Sequence, residues 1–451
     1  METPVGIKRG IDLTNRAWQG DFAGNLQKTF AWWRGGKFNR TTALLLTVIF
    51  FLNLFLVFPI FQRNVTSSFS SASLVFLAEA LSHLGILQKG LFFSILTFIA
   101  LSFSPISFYL FVRRMALRHE LIAFLATIFF ILPNPISGGD LPLVSVILNG
   151  DGAHAFAFAF IPMLLLYIQA FITTGASVWG VISAFFIAVV TIISPFAFFN
   201  LLIIAVVIAV ADGFLGSLRI KLTRFLFLIV SSLLLSFFWY SPHVVGRIFV
   251  LSHVKHAMSK FSSVAPIFIP IIPVVGALSF LVFDRREKLR PFFVGISLFL
   301  IYFSLFSISK SVRTNGVFTA DRYIVELSFA SSFLFAIVFV LLAEFLVRNF
   351  LLRVKHSVVY FVSIVLLSSV AGFLVLSLFV SIKSAQTTII HRTINNTYNV
   401  GIGNIREIYG IHDIGGIVAI VVSLVTFCSL VLTVKKFPSA MLKSKKTARS
   451  S

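Results

Sequence analysis

The chain has a single cysteine and few charged residues, and both shortages restrict what it can be. Cys428 has no partner cysteine, which excludes an intramolecular disulfide and any metal site built from several thiolates. Charged residues make up only 12% of the 451 positions, whereas soluble globular proteins have about 25%. The hydrophobic share is 58% and the mean hydropathy is +1.01. A soluble core cannot bury that much apolar surface, so the composition predicts a polytopic membrane protein without a sizeable soluble domain.

Acidic residues are scarce as well, since 15 Asp and Glu stand against 37 Lys and Arg, which gives a net charge of +22. In a soluble protein such an excess would indicate a nucleic-acid partner. In a membrane protein it marks the cytoplasmic loops and their contacts with anionic lipid headgroups. The choice between these two interpretations depends on where the basic residues fall along the chain.

The short motifs of common soluble enzymes are also absent. The chain contains no phosphate-binding Gly-x-x-x-x-Gly-Lys, no dinucleotide-binding glycine fingerprint, no His-Glu-x-x-His and no Gly-x-Ser-x-Gly. The sequence therefore gives no indication of a P-loop NTPase, a dinucleotide-dependent dehydrogenase, a zincin protease or an α/β-hydrolase. Any chemistry must come from polar residues within or between the apolar runs.

Apolar runs of about 15–25 residues, the length that crosses a bilayer, recur along most of the chain. We predict an all-α, polytopic membrane protein with about twelve transmembrane helices. The predicted spans are 43–61, 91–112, 120–133, 154–173, 178–193, 195–211, 224–241, 265–283, 291–309, 324–347, 357–382 and 414–434. Residues 178–211 are long for one helix and short for two. Ser194 and Pro195 predict a break there, because the residue before a proline disfavours helix.

Polar segments flank this membrane region, so the predicted organisation has three parts. Residues 1–42 form a basic N-terminal segment, in which apolar residues at helical spacing predict an amphipathic helix on the membrane surface. Residues 43–434 form the multi-span domain, and residues 435–451 form a basic tail. A further interfacial helix, too short to cross the bilayer, is predicted at residues 74–86 between the first two spans.

The basic clusters determine the predicted topology. With two spans in residues 178–211, most of the 37 Lys and Arg fall on one side of the membrane. The positive-inside rule makes that side cytoplasmic, places both termini there and favours the plasma membrane as the location. The basic excess then reports topology, so membrane lipids are the expected partners of this face and a nucleic-acid partner is not expected.

The translocated side carries the first candidate functional residues. The loop at about 134–153 has no Lys or Arg but holds Asp140 and Asp151, and His154 follows at the start of the next span. Carboxylates at the mouth of a span can act as metal ligands or as a general base. The alternative is an ordinary turn in which Asp151 caps the following helix.

A second candidate lies after the seventh span, where a loop is basic on the side that should be poor in basic residues. This loop includes His243 and Arg247. Such a composition favours binding of an anion, for example a lipid-linked phosphate or pyrophosphate. A solvated loop without any ligand explains the same residues equally well.

A third candidate, formed by Arg322 and Tyr323, leads directly into the tenth span. A guanidinium at the mouth of a span can hold a phosphate through two parallel hydrogen bonds. Asp321 and Glu326 are close by in sequence. Pairing of Arg322 with either of them would make the cluster purely structural.

The order of these elements resembles a known family. An interfacial helix after the first span is followed by a span that ends in Tyr-Leu-Phe-Val-Arg-Arg at residues 109–114. A polar, glycine-containing loop and a span that starts at His154 come next, and Phe-Phe-Trp-Tyr-Ser-Pro at 237–242 and Asp-Arg-Tyr at 321–323 follow. Across residues 43–434 the chain resembles the large prokaryotic GT-C-type membrane glycosyltransferases and their uncharacterised relatives.

The resemblance implies an enzyme that transfers a sugar from a polyprenyl-phosphate-linked donor at the extracytoplasmic membrane face, for envelope glycan or glycolipid synthesis. It implies that a carboxylate deprotonates the acceptor hydroxyl, while basic residues or a divalent cation stabilise the departing lipid phosphate. Arg322 would contact that phosphate. The candidates are Glu79, Asp140 and Asp151 as acids, and His154, His243, Arg247, Arg322 and Tyr323 as substrate-binding residues.

The chain departs from this family at one point. GT-C enzymes usually carry an acidic residue in the first outer loop, whereas residues 61–73 contain none and Glu79 is the nearest acid. A non-catalytic GT-C-like component of envelope assembly is therefore a second hypothesis, and whether the chain is an enzyme stays open. A transporter or flippase of lipid-linked solutes is a third, although the sequence shows neither a charged midplane site nor matching halves.

Overall fold

The computed structural model of the chain describes residues 40–62, 65, 68–69, 71–116, 119–133, 141–213, 218–240, 290–311, 320–346 and 417–432, with parts of 380–389. Within these residues the chain forms helices and turns and no strand, which confirms the predicted all-α class. The predicted span at 265–283, nearly all of that at 357–382, the N-terminal amphipathic helix and the tail at 435–451 lie outside them.

The helices of the described part of the chain are numbered in sequence order. They are α1 (Arg40–Val57), α2 (Ala72–His83), α3 (Lys89–Met115), α4 (Glu120–Ile131), α5 (Pro142–Leu148), α6 (Gly152–Thr174), α7 (Ser177–Ile193), α8 (Pro195–Gly213), α9 (Leu218–Ser236), α10 (Arg290–Ser311), α11 (Ile324–Leu346) and α12 (Ile417–Leu432). A 3-10 segment (Phe58–Gln62) extends α1, and another (Ala320–Tyr323) precedes α11.

Five helices of the described chain are long and apolar enough to cross a membrane, namely α1, α3, α6, α10 and α11. Counted with its 3-10 extension α1 has 22 residues, whereas the apolar parts of α2, α4, α7, α8 and α12 have 10–17 residues. Helix α4, for example, has 12 residues and is about 18 Å long, against a hydrocarbon core of about 30 Å. The structure thus supports a membrane protein with five candidate spans, and the full count of twelve stays a prediction.

The predicted break at Ser194 is confirmed, since α7 ends at Ile193 and α8 begins at Pro195. Ser194 has extended backbone angles (φ −151°, ψ 105°), and its hydroxyl accepts a hydrogen bond from the Ala197 N–H at 3.2 Å. Proline suits the first position of a helix because the N–H it lacks has no partner there. Helices α7 and α8 pack against each other and form a hairpin.

Helix α6 is the centre of the bundle. Of its most apolar 18 residues 83% are buried, compared with 28% for α1 at the rim. Helices α3, α7, α8 and α9 pack around it. Three fully buried alanines, Ala155, Ala157 and Ala159, allow this close approach, since small residues bring neighbouring helix backbones together. The Ser107 hydroxyl of α3 donates to the Ala159 carbonyl at 2.7 Å.

The loop predicted at about 134–153 contains a helix that sequence reasoning missed. Helix α5 begins with Pro142, a favourable first residue, and every residue from 141 to 150 is buried. It packs against both α6 and α11. Gly150 has a φ of 89°, a conformation that favours glycine, and it turns the chain from α5 into α6. The part of the loop next to Asp151 is therefore packed into the bundle.

A polar cluster joins α1, α3 and α4 at the end of the bundle where α3 ends. The Glu120 carboxylate accepts hydrogen bonds from the Thr42 hydroxyl at 2.9 Å, from Arg113 Nε at 2.6 Å and from the Tyr109 hydroxyl. Both members of the Arg113–Glu120 ion pair are mostly buried. All donors come from residues that the sequence places at span ends on one side of the membrane.

The same end of the bundle holds the last turn of α6. Arg224 of α9 donates to the carbonyl of Ile172 at 2.9 Å, and Gly175, with a φ of 72°, ends the helix. Arg290, which starts α10, reaches the Met115 sulfur of α3. These span ends meet as the basic-charge pattern predicts, while the side of the membrane that they face stays a prediction.

We expect Glu120→Ala to destabilise the protein by about 1–3 kcal/mol, because Arg113 and Tyr109 lose a partner in a mostly buried site. Glu79→Ala is the matched control. Glu79 pairs with Lys89 at 3.2 Å on the surface, and exposed pairs contribute at most about 1 kcal/mol. Unfolding of the purified protein in detergent measures both. Equal losses for the two variants would contradict a structural role of the Glu120 cluster.

Candidate functional site

Asp151 and Arg322 form a buried ion pair where α6 begins. Asp151 Oδ2 lies 2.7 Å from Arg322 Nε, and the two side chains are only 5% and 13% exposed. Asp151 precedes α6, and Arg322 belongs to the 3-10 turn before α11. The structure thus brings together two candidate residues that are 171 positions apart in sequence.

A second pair lies one helical turn further into the bundle. His154 Nε2 lies 2.9 Å from Glu326 Oε1, and neither side chain has any exposed surface. The Asn200 amide of α8 donates to the same carboxylate oxygen at 2.7 Å. Tyr302 of α10, also fully buried, donates from its hydroxyl to the backbone carbonyl of Asn200 at 3.1 Å. The second pair is therefore held by residues of α8 and α10.

The spacing of these residues explains why the pairs are stacked. His154 follows Asp151 by three residues, and Glu326 follows Arg322 by four, which places each couple on one side of its helix. The start of α6 therefore contacts the segment around the start of α11 twice, once through Asp151 and Arg322 and, one helical turn further in, through His154 and Glu326. We call these four residues, Asp151, His154, Arg322 and Glu326, the polar ladder, with an outer rung (Asp151–Arg322) and an inner rung (His154–Glu326).

Phe196 packs against both rungs. The Arg322 guanidinium lies 5.1 Å from the centre of its ring, a cation–π distance, and the ring of His154 meets it edge to face at 5.0 Å. The buried ring of Tyr323 contacts Phe196 from another side at 5.1 Å. These aromatic contacts exclude water from the ladder and thereby strengthen its electrostatic interactions.

Four polar atoms of the inner rung and Asn200 make no hydrogen bond among the described residues. His154 Nε2 has only its ion-pair contact with Glu326, and His154 Nδ1, Glu326 Oε2 and Asn200 Oδ1, each on a fully buried residue, lie outside that contact. Buried polar groups are usually satisfied, because an unpaired one costs about 1–3 kcal/mol. The inner rung therefore retains unused donor and acceptor capacity.

The structure excludes one of the simpler interpretations of these residues and adds a partner to another. Asp151 occupies the N-cap position of α6 but its side chain makes no capping hydrogen bond, so the carboxylate does not cap this helix. Arg322 pairs with Asp151 on a distant segment, a partner that sequence reasoning did not consider, while Glu326 faces His154 and Asn200. The ladder joins α6 and α11 instead of being a local pair within one span.

The remaining candidates do not join this cluster or cannot be placed. Glu79 lies on α2, is half-exposed and pairs with Lys89. Asp140, His243 and Arg247 lie outside the described residues. Tyr323 packs its buried ring against Phe196.

Sequence reasoning missed Asn200, Phe196 and Tyr302, and it considered Glu326 only as a local partner of Arg322. One pattern in the sequence points to Asn200. It is a lone amide in the otherwise apolar start of α8, and such a residue inside a bilayer needs a hydrogen-bond partner. No comparable pattern distinguishes Phe196 among the 55 phenylalanines of the chain.

The part of the chain that the structure describes contains no cluster of side chains suited to bind a divalent cation. No group of three or more His, Cys, Asp or Glu side chains converges there. Asp140 and the histidines of residues 241–289 lie outside that part.

The ladder lies near one end of the bundle. His154 and Glu326 are the third residues of α6 and α11, and Asn200 is the sixth residue of α8. At 1.5 Å per residue, these groups lie within about 9 Å of the helix starts. The middle of a hydrocarbon core about 30 Å thick would be about 15 Å deep.

Comparison with protein-family models, with curated proteins and with solved structures finds no match in any of the three. The functional interpretation therefore depends on the geometry of the ladder and on the sequence pattern.

We expect a double-mutant cycle to show strong coupling across the outer rung. Asp151→Ala and Arg322→Ala should each cost about 3–5 kcal/mol, because each leaves a charge buried without its partner. The double variant should cost about 1–3 kcal/mol less than the sum of the two. Unfolding in detergent measures the cycle, and the exposed pair Glu79–Lys89 serves as the reference with additive effects. Additivity across Asp151 and Arg322 would contradict the pair.

Proposed function

We propose that the chain is a GT-C-like membrane glycosyltransferase that transfers a sugar from a polyprenyl-phosphate-linked donor to an acceptor hydroxyl. The reaction takes place at the membrane face where α6 and α11 begin, which the basic-charge pattern predicts to be extracytoplasmic. The observation that supports this proposal is the outer rung. It holds a carboxylate and a guanidinium, the two groups that such a reaction needs, 2.7 Å apart.

In this proposal a donor phosphate displaces Asp151 from Arg322. Carboxylate and phosphate oxygens both fit the fork of N–H groups on a guanidinium, so they compete for the same partner. Phe196 keeps its contact with the flat face of the guanidinium during the exchange. Binding of the donor therefore positions the phosphate and frees the carboxylate in one step.

The freed carboxylate then serves as the general base. The acceptor hydroxyl oxygen attacks the anomeric carbon of the sugar, and Asp151 takes the hydroxyl proton. The bond between the anomeric carbon and the phosphate oxygen breaks, and its electron pair leaves with the lipid phosphate. Arg322 stabilises the negative charge that develops on this leaving group, an effect that is strong in a site with little water.

The depth of the ladder favours an enzyme over a transporter. Substrate and ion sites of secondary transporters lie near the bilayer midplane, where both faces can reach them. The ladder instead lies within about 9 Å of the helix starts, closer to one end of these helices than to their middle. A flippase is therefore the less favoured alternative.

A non-catalytic GT-C-like component of envelope assembly is the second candidate, and the pairing of the acids favours it. Asp151 is paired with Arg322, Glu326 with His154, and Glu79 with Lys89. The first predicted outer loop, residues 61–73, contains no acid at all. In this case the ladder would only join α6 to α11.

Opposite effects of two variants on lipid-phosphate binding test the transferase proposal. The probe is the methyl diester of a short-chain polyprenyl phosphate, added to protein in lipid nanodiscs and followed by calorimetry. Asp151→Asn should bind the probe as tightly as the wild type or more tightly, because the competing carboxylate is gone. Arg322→Gln should lose binding. Glu79→Gln, which changes an exposed acid, should bind like the wild type.

Sugar transfer is measured in cells that carry each variant in place of the wild-type chain. Asp151→Asn should reduce incorporation of sugar into envelope glycans by a factor of about 10²–10⁴, the usual contribution of a general base. Envelope glycans that stay normal in both the Asp151 and the Arg322 variant would overturn the transferase and favour the non-catalytic candidate. Equal loss of probe binding in both variants would contradict the partner exchange.

A further inference from the structure

His154 contacts one carboxylate and follows another by three residues in the sequence. Its Nε2 faces Glu326 Oε1 at 2.9 Å, and Asp151 precedes it by one helical turn. Its Nδ1 is buried and has no partner among the described residues. The imidazole can therefore hold Glu326 with one nitrogen while the other nitrogen remains available on the side of the ring away from Glu326.

The charges of the ladder balance when this imidazole carries a second proton. With a neutral imidazole, ionised Asp151 and Glu326 with Arg322 would leave one uncompensated negative charge in a mostly buried site. A buried charge without compensation is very costly, above all in a bilayer. The other polar groups packed here, Asn200 of α8, Tyr302 of α10 and Tyr323, are neutral. A protonated His154 brings the net charge of the four residues to zero.

We propose that His154 is a protonated positioning residue that becomes the partner of Asp151 when a lipid phosphate takes Arg322. This inference rests on the proposed function and extends it. In the resting site His154 faces Glu326, and Asp151 faces Arg322. After phosphate has bound, the imidazolium contacts Glu326 through Nε2 and donates from Nδ1 to Asp151, which stays ionised. No bond between heavy atoms is made or broken in this exchange, and both ring N–H protons stay on His154.

Glu326 and Asn200 prepare His154 for this role. The Glu326 carboxylate stabilises the imidazolium and fixes the orientation of the ring. The Asn200 amide donates to the same oxygen, Oε1, and Tyr302 donates to the Asn200 carbonyl. The inner rung is thus a preorganised support for the base, and its residues contact neither donor nor acceptor.

The exchange predicts that phosphate binding depends on pH. When His154 is protonated, Asp151 can leave Arg322 without losing a cationic partner. When His154 is neutral, phosphate binding leaves the buried carboxylate uncompensated, so the affinity falls. A site linked to one proton loses affinity about tenfold per pH unit once that proton has dissociated in the free protein.

Calorimetry with the same methyl diester between about pH 5 and pH 9 tests this inference. The diester keeps one negative charge over this range, whereas a phosphate monoester would itself titrate near pH 6. Wild-type protein should lose affinity as pH rises and take up about one proton per diester at the high end. Titrations in two buffers of different ionisation enthalpy count that proton.

Three glutamine variants separate this role from a merely structural one. His154→Gln should bind the diester weakly and with no dependence on pH. Glu326→Gln keeps the shape of the inner rung but removes its anion, so the loss of affinity should begin at lower pH. His83→Gln, at an exposed histidine of α2, should behave like the wild type. Affinity that does not change with pH in the wild type would overturn the inference.

Nuclear magnetic resonance of ¹⁵N-labelled histidine reports directly which imidazole nitrogens carry protons. This measurement needs no ligand, and it does not depend on whether the His154 variant folds. In the wild type without ligand, one imidazole should carry protons on both nitrogens, and its signals should change in Glu326→Gln but not in His83→Gln. If no doubly protonated imidazole responds to Glu326→Gln, His154 is not the proton carrier. If the proton is present but the diester does not bind at any pH, the proposed transferase fails instead.

Discussion

The structure depends on one constraint, that charges buried in an apolar bundle need partners. Asp151 and Glu326 cannot be ionised inside the bundle unless Arg322 and His154 lie opposite them. These partners belong to segments that are far apart in the sequence, so their pairing fixes the start of α6 against the start of α11. The positions of α8 and α10 follow, because Asn200 completes the inner rung and is itself held by α10.

The two ends of the bundle differ in how completely their buried polar atoms are hydrogen-bonded. At the end where α3 terminates, the Glu120 carboxylate accepts from Thr42, Arg113 and Tyr109, so its needs are met by three helices. At the other end, polar atoms of His154, Glu326 and Asn200 are buried without a hydrogen-bond partner among the described residues. Unpaired buried donors and acceptors destabilise a fold, so they are not expected in a cluster whose only role is stability. This contrast favours a functional role for the ladder and a structural role for the Glu120 cluster.

Features set by local sequence could be predicted, and features set by long-range contact could not. Hydropathy and Pro195 placed α6, α7, α8, α10 and α11 within a few residues of their observed bounds. The candidates Asp151, His154 and Arg322 followed from their positions at span mouths. The pairing of these residues could not be predicted, because it depends on packing between helices that are far apart in the sequence, and hydropathy does not encode that packing. Helix α5 was missed because its apolar run is only seven residues long and is flanked by glycine and polar residues typical of a loop.

In the proposed transferase, the resting pairs also explain how a membrane protein can keep a reactive carboxylate without a large penalty. An unpaired Asp151 would be costly in this site, and an unpaired Arg322 would attract any anion that reached it. Pairing the two suppresses both effects until a ligand offers the guanidinium a better partner. Breaking a buried pair costs about 3–5 kcal/mol, which a single phosphate contact does not easily supply. A second cation one turn below Asp151 reduces that cost, because the carboxylate exchanges one partner for another and is never left alone. In the proposed transferase, the position of His154 within the ladder is therefore what makes a paired resting site compatible with phosphate binding.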